Sequence, residues 1–278
     1  MQLRKYFAAL FAALLLTGAS VAKAAVPPID LTWNPSAIPG VAAPAFTFDN
    51  VLLNTYATIN LDASGLNYTE SGFLRMSVFF NDGIPTAIPS AGFPSGTPYS
   101  LYIAFSSTGV TSPAGVPTSG HSTSLTYQLL GAPGVTNFTD NNNDGVFEVS
   151  GSPTVLLASG SLASQGSNSI TIDPTTGLIN PAAQVFATFN PNPAFASFFV
   201  NPTASQQLDI TAAFTSTGSV VTTAPGPNGG SRITINGGGG NATFALAAVP
   251  EPDTYGMLLA GLGLFGFIAR RKSNRFSA

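Results

Sequence analysis

Few residues in this chain have types and spacing that could do chemistry, and the sharpest set runs from Asp140 to Glu148. Asp140, Asn142 and Asp144 put side-chain oxygens at the first, third and fifth places of a calcium-loop pattern. Gly145 permits the sharp turn that follows, and the Val146 carbonyl and Glu148 carboxylate stand where further ligands would come. Ca²⁺ takes about six to eight hard oxygens, and this spacing folds several around one point. The bidentate glutamate that normally closes such a loop is missing, because its place is held by Gly151. The same Asn/Asp-rich run is equally good chemistry for a surface turn. Two readings therefore stand, a calcium loop with Ca²⁺ as the possible cofactor or an ordinary turn.

Arrangements for catalysis fall short. There is no Gly-x-Ser-x-Gly elbow, and the single histidine, His121, neighbours Ser122 and Ser124 without an oxyanion loop beside them. It reads as a loop residue in a Ser/Thr turn. Glu70 and Glu148 would serve as a glycosidase pair only if the fold held them about 5 to 9 Å apart. Gly237 to Gly240 is followed by neither the lysine nor the helix of a phosphate loop, and reads as a turn between Arg232–Asn236 and Ala242–Ala247. No catalytic residue is assigned, and the chain is expected not to be an enzyme.

These residues must be positioned by a body of unusual composition. Seven of the nine basic residues lie at the two ends of the chain, leaving Arg75 and Arg232 against ten acids between them. The whole-chain charge of −3 conceals how anionic this middle is. Two arginines cannot neutralise a phosphate backbone, which excludes nucleic acid as a partner. With no cysteine and one histidine, disulfides, thiol chemistry and a zinc site of several His or Cys ligands are also excluded.

Gly, Pro, Ser, Thr and Asn are abundant here and disfavour long helices. Short β-favouring runs recur instead: Tyr56–Leu61, Phe73–Phe80 closed by Asn81-Asp82-Gly83, Tyr99–Phe105, Ser124–Leu130 and Thr154–Leu162. Ile170–Ile172, Gln184–Phe189, Phe195–Val200 (or a helical turn), Leu208–Phe214, Arg232–Asn236 and Ala242–Ala247 complete the set. Residues 224–231 and 237–240 read as hairpin loops. The expected fold is all-β: a single β-sandwich-like domain of two mainly antiparallel sheets, flanked by a signal peptide and a C-terminal transmembrane sorting helix.

The ends are more explicit. Arg4 and Lys5, the apolar run Tyr6–Leu16 and the small-x-small pattern Ala22-Lys23-Ala24 form a secretory signal peptide, cleaved between Ala24 and Ala25. This places residues 1–24 as the signal, 25–248 as the exported β domain and 249–278 as the tail. In the tail, Val249-Pro250-Glu251-Pro252 stays extended, because each proline fixes φ and lacks an N–H. An apolar helix then follows over about 254–269. It supplies about 22 to 24 Å of length against a bilayer core of about 30 Å, so it spans with tilt or local thinning. Arg270, Arg271 and Lys272 hold the far end cytoplasmic, so everything before Val249 lies outside the inner membrane.

The string VPEPDTYGMLLAGLGLFGFIARRKSNRFSA closely resembles the PEP-CTERM sorting tail, in its Pro-Glu-Pro triplet, its Gly-rich apolar helix and its terminal Arg cluster. The resemblance implies recognition by an exosortase after signal peptidase and the secretion machinery have acted. It further implies an intermediate anchored in the inner membrane and facing the periplasm, then release to the cell surface or extracellular matrix. The middle resembles the flocculation-associated PEP-CTERM proteins, in Leu31-Thr32-Trp33-Asn34-Pro35-Ser36, Phe46-Thr47-Phe48-Asp49-Asn50 with Tyr56-Ala57, Tyr99–Phe105, Ser124–Tyr127 and Leu156–Leu162. That likeness implies a surface protein associated with exopolysaccharide, aiding flocculation or biofilm cohesion. A carbohydrate- or ice-binding module is the alternative, and a secreted hydrolase the third. An ice-binding face would show a regular Thr-x-Thr array, and none occurs along the chain.

Overall fold

The computed structural model describes residues 29–93, 95–111, 118–142, 144–172, 179–202, 208–215 and 220–246. Fifteen strands occur among them. They are β1 (Leu31–Trp33), β2 (Phe46–Phe48), β3 (Asn50–Leu61), β4 (Asn67–Asn81), β5 (Ile84–Ala87), β6 (Tyr99–Thr111), β7 (Thr118–Pro133) and β8 (Asn137–Thr139). After them come β9 (Glu148–Ser150), β10 (Val155–Ile172), β11 (Ile179–Pro191), β12 (Phe199–Asn201), β13 (Leu208–Thr215), β14 (Val220–Pro225) and β15 (Ser231–Leu246).

The fold is all-β as expected, but it is a closed barrel and not a sandwich. Eight antiparallel strands follow one another around the wall in the order β3, β4, β6, β7, β10, β11, β13, β15. The last of them, β15, pairs β13 on one side and β3 on the other, and this second ladder closes the sheet on itself. Closure removes the sheet edges that a sandwich would leave. Two features of the chain make it possible. The strands are long, up to 18 residues in β10, and many carry bulges that increase local twist and curl the sheet.

Gly237 illustrates the device. It is the bulge of a continuous β15, with φ +82, between the stretch that pairs β14 and the stretch that pairs β13. The expected turn at 237–240 is therefore a strand. It escaped notice because four glycines carry no β signal of their own. By contrast Asp82 and Gly83, both with positive φ, form the tight β4–β5 turn that their types predict. Pro193–Phe198 is a 3-10 helix, started by the Asn192 side chain accepting from Ala194 N–H.

One end of the barrel interior is filled by aromatics. Trp33, on a small sheet ordered β12-β1-β2, is fully buried. Its ring lies 4.7 Å from Phe48, 5.2 Å from Phe198 and 5.8 Å from both Phe79 and Phe244, with mostly edge-to-face contacts. Because Phe79 belongs to β4 and Phe244 to β15, the small sheet plugs the barrel against its own wall. The barrel ladders all close within the compact unit Pro27–Ala247, which thus holds its own core and hydrogen-bond partners and can fold by itself. No helix among the described residues is long and apolar enough to cross a membrane. The expected signal peptide (with Ala22, Ala24 and Ala25) and the helix at about 254–269 lie outside the described residues.

Candidate functional site

Away from the aromatic plug the barrel is hollow. A cavity of about 110 Å³ runs toward the end where β3 gives way to β4. Its walls are apolar around Leu74, Ile103, Phe105, Leu125, Val185 and Ile210, and polar at Tyr68, Glu70, Ser107, Ser122 and Asn168. Period-two alternation in β4 explains the placement: Tyr68, Glu70 and Leu74 share the inward face, while Thr69 and Ser71 face out.

The polar groups form a short network. The Tyr68 hydroxyl shares a 2.9 Å hydrogen bond with Ser122 Oγ and accepts one of 2.8 Å from Asn168 Nδ2. Tyr68 lies flat over the cross-strand Gly109, where a Cβ would fall 2.3 Å from its ring. The absence of a side chain is what lets the ring lie there. Tyr127 repeats the device over Gly160 and donates to Thr188 O at 2.6 Å. Glu70 is the one acid and no base occurs among the described lining residues, and the carboxyl has no hydrogen-bond partner among them. Its residual exposed surface opens on the cavity. Burial pushes its pKa up from 4.5 to about 7. Burial also raises the Tyr68 hydroxyl, and the nearby Glu70 charge adds to that.

The candidate calcium loop lies on the outside of the barrel. Asp140 Oδ1 accepts from Asp144 N–H at 3.0 Å and Oδ2 from Gly145 N–H at 2.9 Å. Asp144 Oδ1 accepts from Val146 N–H, while Glu148 accepts from Asn141 N–H and from the Asn142 amide. The acids are thus turned onto nearby N–H groups. No three acidic or histidine side chains among the described residues gather closely enough to hold a metal ion. In this arrangement the oxygens of Asp140, Asp144 and Glu148 serve a hydrogen-bonded turn.

That loop belongs to a flap built on the β8–β9 hairpin. Phe138 stacks 5.1 Å from both Tyr56 and Phe73, outward residues of β3 and β4, and Phe147 meets Tyr56 edge-on. Arg75 and Arg232 hold it down. Arg75 donates to Thr136 O at 2.6 Å and lies 5.3 Å over the Phe138 ring. Arg232 donates to Asp144 O, and Thr58 to Gly145 O.

Other sequence candidates separate. Glu70 faces the interior and Glu148 sits on the outer hairpin, so they form no glycosidase pair. His121 lies within β7 and not in a loop, one residue from the inward Ser122 and therefore on the opposite face. Sequence reasoning missed the cavity. The alternation Tyr68-x-Glu70-x-Gly72-x-Leu74 was the available signal, since an acid on the inward face of a strand marks a polar interior site.

A hydroxyl surface also emerges outside. Ser71, Ser106, Thr126 and Ser161 are successive cross-strand partners on β4, β6, β7 and β10, and all are exposed. Thr69, Thr108 and Ser124 form a parallel row, with a 2.7 Å bond between the last two.

Comparison with known proteins informs the C-terminal end. Residues 248–272 match the PEP-CTERM protein-sorting motif. This chain carries a PEP-CTERM sorting signal. The PEP-CTERM match contains Val249, Pro250, Glu251, Pro252, Arg270, Arg271 and Lys272, and lies outside the described residues. It identifies an exported protein handled by the secretion machinery and an exosortase, membrane-anchored during sorting and then surface-associated. No similar curated protein and no similar solved structure was found.

Proposed function

We propose that this PEP-CTERM protein is a non-enzymatic component of the cell surface or matrix that binds exopolysaccharide and aids flocculation or biofilm cohesion. The supporting observation is the outer wall of β4, β6, β7 and β10. Its two rows of hydroxyls, spaced by the strand separation of about 4.8 Å, carry no charge and no large apolar group. Each hydroxyl donates one hydrogen bond and accepts others, which suits a hydrated sugar polymer. The wall is curved by barrel closure, which favours a flexible glycan over the flat lattice of ice.

Two experiments test the reading. The purified barrel unit, residues 27–247, is sedimented with exopolysaccharide from the native host, beside a Ser106→Val/Thr126→Val variant. Co-sedimentation that falls several-fold in the variant supports the reading, and equal co-sedimentation removes the role of the hydroxyl face. In the host, deletion is expected to disperse flocs. Replacing Pro250-Glu251-Pro252 with three alanines is expected to leave the protein in the inner membrane without restoring them. Unchanged flocs on deletion would end the cohesion role.

A further inference from the structure

The barrel interior holds a space that the outer hydroxyl wall does not use. Most of its length is filled with close-packed side chains, yet toward the polar end about 110 Å³ is left open. A cavity of about 150 Å³ holds one benzene, so this space suits a molecule of about four to six non-hydrogen atoms. A void of this size weakens a core, because its lining loses packing contacts on one side. Eight-stranded barrels are the size class in which such a space holds one small ligand.

The chemistry of the lining narrows the occupant. Tyr68, Ser122 and Asn168 already satisfy one another. Glu70 projects a carboxyl into the space with its hydrogen-bonding capacity unused, the Thr55 hydroxyl in the lining is also unpartnered, and no lysine, arginine or histidine is among the described lining residues. An anionic head would meet a carboxyl and no counter-charge. A head that donates a hydrogen bond would meet an acceptor. The remaining walls, from Leu74 to Ile210, offer mainly apolar contact over the length of a short chain.

We propose that the barrel interior binds one neutral, slender, largely apolar molecule with a single hydroxyl head, oriented by donation from that hydroxyl to Glu70. Binding adds packing against the cavity lining, so it raises stability by mass action. The site is separate from the outer hydroxyl wall, and each can fail without the other.

The test uses the barrel unit with three short probes: 1-pentanol, pentanoate at pH 8.5, and pentane. Calorimetric titration and thermal unfolding are read together. Saturable one-to-one binding of 1-pentanol with a rise in Tm is expected, with pentanoate at least ten-fold weaker. Glu70→Leu should bring 1-pentanol and pentane to equal affinity. Val185→Phe, which fills the cavity, should abolish 1-pentanol binding while the circular dichroism spectrum stays native. Should Val185→Phe misfold, Ala212→Leu serves the same purpose from β13. The proposal is overturned if 1-pentanol fails to bind, if pentanoate binds as well, or if a folded cavity-filled variant still binds.

Discussion

The two ends of the barrel interior are made from the same strands and solve opposite problems. At one end β4 supplies Met76 and Phe79, which pack with Trp33, Phe48 and Phe244 into a dry aromatic plug. At the other end the same strand supplies Tyr68 and Glu70, which face a cavity and a hydrogen-bond network. The difference shows where stability and recognition are separated in this molecule. Large aromatics hold the barrel shut at one end, which leaves the other free to keep a void and a buried carboxyl that a packed core would not tolerate.

The comparison can be broken most forcefully at the plug. Trp33→Ala should cost about 3–5 kcal/mol, because it removes the ring on which six phenylalanines converge. Urea unfolding of the barrel unit measures it, and a loss below about 1 kcal/mol would mean that the plug is not what holds the barrel.

At the other end the expected sign reverses. Glu70 has a folded pKa of about 7 against an ordinary 4.5. The folded state therefore holds its proton more tightly, and its contribution is most favourable below about pH 4.5 and is lost as pH rises toward 7. Glu70→Gln should stabilise the barrel by about 2–3 kcal/mol at pH 8, have little effect at pH 4, and flatten the pH dependence between. Unfolding curves at the two pH values decide it, and a destabilising effect at pH 8 would contradict a buried, unpartnered carboxyl.

Smaller effects sharpen the contrast. Tyr68→Phe leaves Asn168 and Ser122 without their shared partner and should cost about 1–2 kcal/mol in the same denaturation assay. Arg75→Met keeps much of the side-chain bulk on the outer wall and removes the bond to Thr136 O and the cation over Phe138. It should cost about 1 kcal/mol, with faster hydrogen exchange confined to the β8–β9 flap. Exchange that rises throughout the barrel would show that the flap is part of the core.

Local features were legible in the chain. Tyr99–Phe105 opens β6, Leu208–Phe214 nearly spans β13, and Asn81-Asp82-Gly83 turns where its types require. What local pattern could not carry was long-range pairing. Nothing near Asn50 announces that it will lie opposite Thr243, and that pairing separates a barrel from a sandwich. Strand length was also hidden. Val155–Ile172 read as two runs, Thr154–Leu162 and Ile170–Ile172, because the small and polar stretch 163–169 between them carries no β signal, yet Gly166 within it sits against Gln184 O in one continuous strand. The hydroxyl rows were invisible for a related reason. A search along the chain for Thr-x-Thr misses neighbours that are neighbours only across strands. The 140–148 run was legible as a loop, and its oxygens proved to be turned inward on its own N–H groups.

The β15–β3 ladder has a consequence for the order of events during export. A chain that crosses a membrane from its N-terminus delivers β3 early and β15 last, immediately before the sorting motif at residue 248. Until β15 arrives, β3 has an unpaired edge, and the contact that completes the barrel spans nearly the whole domain, which makes it a slow, high-contact-order step. The barrel can close only when translocation has reached the threshold of the tail. A product truncated before β15 would be left as an open sheet with the β3 edge unpaired.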